Sequence, residues 1–516
     1  MTSCILTVIK DEQEYLEEWI RYHLDIGVDH LFIFEDIDST SHQDICSKYS
    51  ERVSLARIDT ILDKESKSLA CLYKKTKEHN PQDIYFKSGI RWIKSVYPNQ
   101  YDWCFVIDND EFISTEKPLH DTLSLYSDYD AFVLQWKIYG ANGHIFKPNY
   151  ADSGIVETYT KESPHHGHHV IEWTTKTCYK VSTFEETFFK NNHQPSDTCR
   201  WCRSDFSHIR GNITYDNIYI KHYITKSLEE YVAKKSRGYF MGFARTVDFF
   251  FDINPDMLSV SRSLRKQLRD GVLVILPYKQ SSAQGNELRL ALTGWRKFCR
   301  FKYHFVVIGD FDQTLVTEYP WVEFIDYPSM DKVEGQYTPH LDILRKFEYV
   351  IDKYQGRYES FIAMCDDEYA IKPFTFFDIY KTHYHQLSFE GDRTSPTSYW
   401  IYDKYKTKQL LVRENLPAVN YTTHYPYYYE VKKLKEIWDR FDMRNESYVL
   451  EDVYFNYFGH EEAILDSTVR LGIWWKKIYD REFHKAIENP RIKFCCNSVE
   501  GYSKELENSL SELYLK

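Results

Sequence analysis

No stretch of this 516-residue sequence stays apolar for the roughly 20 residues that a bilayer span requires. The opening "MTSCILTVIKDEQEYLEEW" has neither a basic leader nor an uninterrupted apolar core, so nothing in it reads as a secretory signal. A disulfide framework is missing too. The 11 cysteines are an odd number scattered along the chain, with one CxxC (Cys199, Cys202) and one adjacent pair (Cys495, Cys496). Without a second CxxC at zinc spacing, Cys199 and Cys202 are read as packed thiols. Excess positive charge is also absent, and a net charge of −12 argues against broad binding to a nucleic-acid backbone. These absences point to a cytoplasmic protein. Peripheral contact with the inner face of the plasma membrane is left open through Arg262, Lys266 and Arg269, or through the partly amphipathic Leu506, Leu510, Leu513 and Leu515.

What remains is a globular composition, 43% hydrophobic and 28% charged, in a chain too long for one core to organise. The pattern alternates strand and helix. Cys4 to Ile9 reads as a buried strand, and Tyr15, Leu16, Trp19, Ile20, His23 and Leu24 recur at helical spacing up to Gly27. "DHLFIFED" (29–36) and "RVSLARID" (52–59) follow as strands, then a helix over 82–96 and a strand in "DWCFVIDNDEF". After a looser region, and a charged stretch over 258–270 read as a helical connector, the pattern restarts. "GVLVILPYK" (271–279) and "YHFVVIGD" (303–310) are strands around a helix over 286–299, with a further helix over 340–354 before "SFIAMCDDEYAIKPF". Such alternation predicts α/β layers with mostly parallel sheets, whose ligands gather beyond the carboxyl ends of the strands. Two domains are expected, 1–257 and 271–516, repeating a layout without repeating a sequence.

In both halves a buried strand runs into clustered acids: Asp108, Asp110 and Glu111 in the first, Asp366, Asp367 and Glu368 in the second. Such a cluster costs several kcal/mol in repulsion and desolvation unless something positive compensates it. Paired carboxylates at a strand end suit Mg2+ or Mn2+, and a cation there neutralises charge building on a departing nucleoside diphosphate.

Four blocks of the first half, in order, resemble the family 92 glycosyltransferases and the related family 2 group, which have the GT-A fold: "KDEQEYLEEWIRYHLDIGVDHLFIFEDIDST", "WCFVIDNDEFI", "LQWKIYGANGHIFKP" and "IKHYITKSLEEYVAKKSRG". The resemblance implies Asp108 and Asp110 as a DxD pair on the metal, with Asp108 also near the ribose, His222 as a late ligand, and Lys226 and Lys234 near the phosphates. Asp11 and Asp36, in the opening block, are donor-side positions. That block departs from the family pattern at Lys10-Asp11-Glu12 and at Glu35-Asp36-Ile37-Asp38, which leaves base recognition open. An inverting transfer also needs a base for the acceptor hydroxyl. Glu111 lies too close to the metal, and Asp205, Glu157, Glu172 and His193 are the candidates. His165, His166, His168 and His169 fall in a polar loop expected over an acceptor cleft.

The second half is similar, more faintly, to capsule-assembly sugar-nucleotide transferases of the Stealth type, through "NELRLAL", "CDDEYAIKPF", "HYPYYYEVKKLKEIW" and "LEDVYFNYF". That likeness implies Asp366, Asp367, Glu368 and His424 around a metal, Asp366 and Lys279 toward the donor, and Glu451 or Asp452 as acceptor base. Together the halves lead to the expectation of two tandem GT-A domains in a bifunctional glycosyltransferase. The expected cofactor is Mn2+ or Mg2+, the donor a nucleotide sugar, foremost a UDP-sugar, and the acceptor a lipid-linked or oligosaccharide chain of a growing surface polysaccharide. The alternatives are hexose-1-phosphate transfer in the second half, or one catalytic half beside a binding module.

Overall fold

Strands buried on both faces need apolar residues at nearly every position, and the runs beginning at Cys4 and Val272 supply them, with Thr7 a buried polar exception. A computed structural model of the chain describes residues 1–37, 39–76, 81–150, 153–165, 174–208, 213–236, 246–258, 262–330, 339–380, 383–384, 399–459, 464–465 and 470–515. Its contacts divide the protein into two units, Met1–Ser261 and Arg262–Lys516. The helix Arg262–Asp270, in the stretch expected as a connector, belongs to the second unit, where the Gln267 amide donates to the Tyr428 hydroxyl at 2.9 Å.

In the first unit the strands are β1 (Ser3–Ile9), β2 (His30–Glu35), β3 (Val53–Arg57), β4 (Trp103–Val106), β5 (Glu111–Thr115), β6 (Ala131–Ile138), β7 (Thr175–Lys180), β8 (Trp201–Arg203) and β9 (Ile218–His222). The sheet runs β3-β2-β1-β4-β7-β6-β9-β5, with β8 beside β6. The first four of these are parallel and β7 lies antiparallel to β4. Alternate residues of β1 face opposite sides. Ile5 and Ile9 join the cluster with Leu16, Trp19 and Ile20 of the helix Gln13–Asp25, while Cys4 and Leu6 join Phe86, Ile90 and Ile93 of the helix Pro81–Val96. Each such apolar side chain contributes about 1.5–3 kcal/mol on burial. Gly27, at φ +101°, ends the first helix in a conformation that a side chain would resist.

The second unit repeats the order with β10 (Val272–Lys279), β11 (Tyr303–Asp310), β12 (Val322–Asp326), β13 (Ser360–Ala363), β14 (Glu368–Ala370), β15 (His383–Tyr384), β16 (Tyr427–Glu430), β17 (Ile464–Leu465), β18 (Arg470–Ile473) and β19 (Phe494–Asn497). Its main sheet is β12-β11-β10-β13-β16, parallel up to β13 and antiparallel at β16. A smaller sheet, β14-β19-β18, carries the chain onward from the acids, and β15 pairs with β17. The expected α/β class is therefore the one observed, with sequential strands in the order third, second, first, fourth in each unit. Among the described residues no helix is long and apolar enough to cross a membrane. The C-terminal helix Lys504–Leu515 buries Leu506 and Leu510 and donates from Tyr514 to the Ala370 carbonyl, while Leu515 is exposed. Cys199 and Cys202 are buried and form no disulfide among the described residues.

One buried group makes the first unit sensitive to acid. His23 is fully buried, its Nδ1–H donating to the Trp19 carbonyl at 2.9 Å and its Nε2 accepting from the Ile113 amide at 3.2 Å. Burial depresses its pKa from 6.5 to about 3, so the folded state keeps it neutral while the unfolded chain protonates it. The stability this neutral ring supports is present above pH 6.5 and is lost as pH falls toward about 3. From pH 7 to pH 5 the loss is about 2 kcal/mol. Urea titrations followed by tryptophan fluorescence are expected to show a slope in the wild type that is smaller by about this amount in His23→Asn. Equal slopes in the two proteins would refute the assignment.

Candidate functional site

The two acid clusters occupy matching places in their sheets. The Ile107 amide donates to the Leu6 carbonyl after β4, and the Met364 amide to the Ile275 carbonyl after β13. Four residues further on, Glu111 accepts from the Asp108 amide at 2.9 Å and Glu368 from the Cys365 amide at 3.0 Å, each through Oε2. This back-reaching glutamate sets the register: Asp110 matches Asp367 and Glu111 matches Glu368, while Asp108 matches Cys365 and Asn109 matches Asp366. Equating the clusters acid for acid, as the sequence invites, is one residue out for the leading aspartate. A gap-free alignment of "VIDNDEF" with "AMCDDEY" carries the signal. Both glutamates are almost wholly buried, their Oε1 atoms find no hydrogen-bond partner among the described residues, and burial pushes both carboxyls well above the usual range.

The histidines do not correspond. Glu111 pairs across the sheet with His222 on β9, whereas Glu368 pairs with Cys496 on β19. His424 enters the second cluster from the segment leading into β16 and holds φ +45°. Its Nδ1 stands 3.4 Å from Asp367 Oδ2, and its ring meets Trp474 edge-on.

Lysines neutralise the first cluster from within. Lys176, wholly buried on β7, donates to Asp108 Oδ2 at 2.8 Å and lies 3.8 Å from Glu111, and Gln82 fills Asp108 Oδ1 at 2.6 Å. Lys234 donates to Asp110 Oδ2 at 2.6 Å, and His222 Nε2 is 3.6 Å from Oδ1. Burial alone would raise the Asp110 carboxyl, but the charges of Lys234, His222 and Lys226 hold it well below the usual range. Lys226 also sits over the Tyr15 ring at 4.1 Å. This set fits a divalent cation poorly, because Asp108 and Asp110 each already hold a lysine ammonium.

The second cluster is different. Asp366, Asp367 and His424 face a cavity of about 430 Å³ that Lys279, Glu287 and Lys346 also line. Burial, Asp367 and Glu287 push Asp366 well above the carboxylate range. Lys346 and Arg470 offset this charge only in part, since both are tied to other groups: Lys346 Nζ donates to Asp342, to the Tyr278 carbonyl and to Ser329 at 2.7–2.9 Å, and Arg470 to Cys496 Sγ at 2.9 Å. At the place of Lys176, immediately before the strand paired with the acid strand, stands Pro426. Hard oxygens, an imidazole nitrogen and only partly offset negative charge fit Mn2+ or Mg2+. Among the described residues, no three His, Cys, Asp or Glu side chains are already gathered as a closed metal site.

The remaining positions separate into two groups. Asp36 is buried at the end of β2 and held by Lys74, and Asp11 accepts from the Thr40 amide and hydroxyl. Asp310 ends β11 at the place matching Asp36 and accepts from Ser329, a position the sequence reading passed over. Glu451 opens the helix Leu450–Phe458 close enough to Cys365 and Glu368 to raise both their pKa values. Asp452 is wholly buried against Lys404 and accepts from the Tyr421 amide at 2.7 Å. Glu157 is exposed in a short helix. Asp205 accepts from Ser207 in a turn whose neighbour Ser204 is tied to Asn217, five residues and roughly 16 Å along β9 from His222. His193 is half-buried and donates from Nδ1–H to the Thr175 carbonyl at 2.9 Å, with its pKa lowered to about 3 by burial and Lys176. Glu172, His166, His168 and His169 lie outside the described residues, and His165 is exposed. Sequence reasoning also missed Lys176, Glu287 and Lys346. A lysine inside "TTKTCYK" resembles any surface-strand lysine until its neighbours are known.

No protein-family profile and no curated protein matches the chain. Among the solved structures that overlap it weakly, two illustrate the likeness. One is a glycosyltransferase involved in the glycosylation of the major capsid of PBCV-1, 13% identical over 48% of this chain and 100% of that one, with a TM-score of 0.24. The other is HddC from Yersinia pseudotuberculosis, 11% identical over 39% of this chain and 89% of that one, with a TM-score of 0.23. At those scores neither bears on what this chain does.

Proposed function

We propose that the protein is a glycosyltransferase acting on nucleotide-sugar donors, with the second unit as a cation-assisted transfer site. The observation that supports this best is the group Asp366, Asp367 and His424, opening on a cavity beyond the carboxyl ends of β10 and β13. Open α/β sheets take their ligands there. When bound, a divalent cation would offset charge on the departing nucleoside diphosphate.

The chain's own residues do the rest. Asp366, Asp367 and His424 hold the cation, and Lys279, on the cavity wall, meets the phosphates. Asp310, at the end of β11, takes the nucleoside side. Lys346 ties the end of β10 to the helix Pro339–Lys353 and so fixes the cavity wall. Glu451 accepts the acceptor's hydroxyl proton as that oxygen bonds to the anomeric carbon. The bond to the diphosphate breaks, and its electron pair leaves with the nucleotide.

The sequence resemblances support a UDP-sugar as donor, a lipid-linked or oligosaccharide acceptor, and a second transfer step in the first unit. Purified full-length chain incubated with UDP-, GDP- and CMP-sugars is expected to release nucleotide from at least one donor, fastest with Mn2+. Mass spectrometry of the products reads this directly, and phosphorus retained on the acceptor would instead identify sugar-1-phosphate transfer. Release from no donor with either Mn2+ or Mg2+ would overturn the proposal.

A further inference from the structure

We infer that the two acid clusters take different counterions, so that the chain holds one divalent cation, in the second unit, while the first unit meets an anionic nucleotide with its own lysines. This rests on the donor-site reading above and adds an asymmetry to it.

Two substitutions separate the sites. In the first unit Asp108 and Lys176 form an ion pair across β4 and β7, and at the matching places of the second unit stand Cys365 and Pro426. A cation approaching Asp108 would meet the Lys176 ammonium at ion-pair distance, and Lys176 is wholly buried on a central strand with nowhere to withdraw. Lys234 differs, since its side chain is 32% exposed and can turn from Asp110 to an incoming phosphate, joined by Lys226. Among the described residues the second unit shows no such pair at these places. Asp366 and Asp367 stand beside Glu287 and His424 on the cavity wall, where carboxylate oxygens and an imidazole nitrogen suit a cation.

Electron paramagnetic resonance of Mn2+ titrated into the full chain, with and without UDP, tests this without reference to turnover. The expected result is one bound Mn2+ per chain, weakened at least about 10-fold by Asp367→Asn and unchanged by Asp110→Asn. Lys176→Met, which frees Asp108, is expected to add a second Mn2+. Two sites in the wild type, or a single site lost in Asp110→Asn, would overturn the inference while leaving the donor-site reading intact. No Mn2+ bound under either condition would overturn both.

Discussion

Asp367→Asn is expected to lower cation-dependent turnover about 1000-fold while leaving the fold unchanged, equivalent to about 4 kcal/mol of lost transition-state stabilisation. The substitution keeps the size and one carbonyl oxygen but removes the charge from the side chain nearest His424 on the cavity wall. No hydrogen bond that holds the acid loop passes through that carboxylate, because the loop is fixed by Glu368 accepting from the Cys365 amide. Steady-state kinetics across a Mn2+ titration separate the two consequences: excess Mn2+ rescues lost affinity, whereas a lower plateau reports lost stabilisation of the leaving diphosphate. Glu368→Gln, which preserves the amide contact, is expected to stay within about tenfold of wild type. Turnover of Asp367→Asn within tenfold of wild type would remove the second acid cluster from the chemistry.

The largest effect on stability is expected at Lys404→Met, with a loss of about 3–5 kcal/mol. Lys404 and Asp452 are both wholly buried and bonded to each other, and Lys404 also donates to Asn420 at 2.8 Å. Removing the ammonium strands a carboxylate that water cannot reach. The Asp452 carboxylate in turn receives the Tyr421 amide and the Thr422 hydroxyl, so the damage spreads to the segment that delivers His424. The double variant Lys404→Met with Asp452→Asn is expected to recover part of the loss, since no buried charge is then left unpaired. Urea unfolding of the three proteins measures the coupling. A double variant no more stable than Lys404→Met alone would show that packing, not charge, holds this region.

The architecture was legible because its signals are local. Val272 to Lys279 is apolar at nearly every position, the helix expected over 286–299 is found at Glu287–Phe298, and that expected over 82–96 at Pro81–Val96. The acids at the ends of β4 and β13 were legible for the same reason. Their partners were not. Lys176 meets Asp108 across 68 residues of chain, and nothing in the letters around it separates a buried strand lysine from a solvated one. His424 invited comparison with His222 by type, yet the sheet pairing gives that place to Cys496. Glu451 and Asp452 are adjacent in sequence, and only the helix they open decides that one lies beside the acid loop while the other is sealed against Lys404.

The glutamate that reaches back to the start of its own loop has a further consequence. Since Glu111 and Glu368 hold the same backbone shape around different side chains, scaffold and ligand set are separate assets in this fold. A duplicated copy can exchange an aspartate for a cysteine, or acquire a lysine beneath it, and still present an intact hairpin. Divergence between twin sites can therefore proceed one counterion at a time, without passing through an unfolded ancestor.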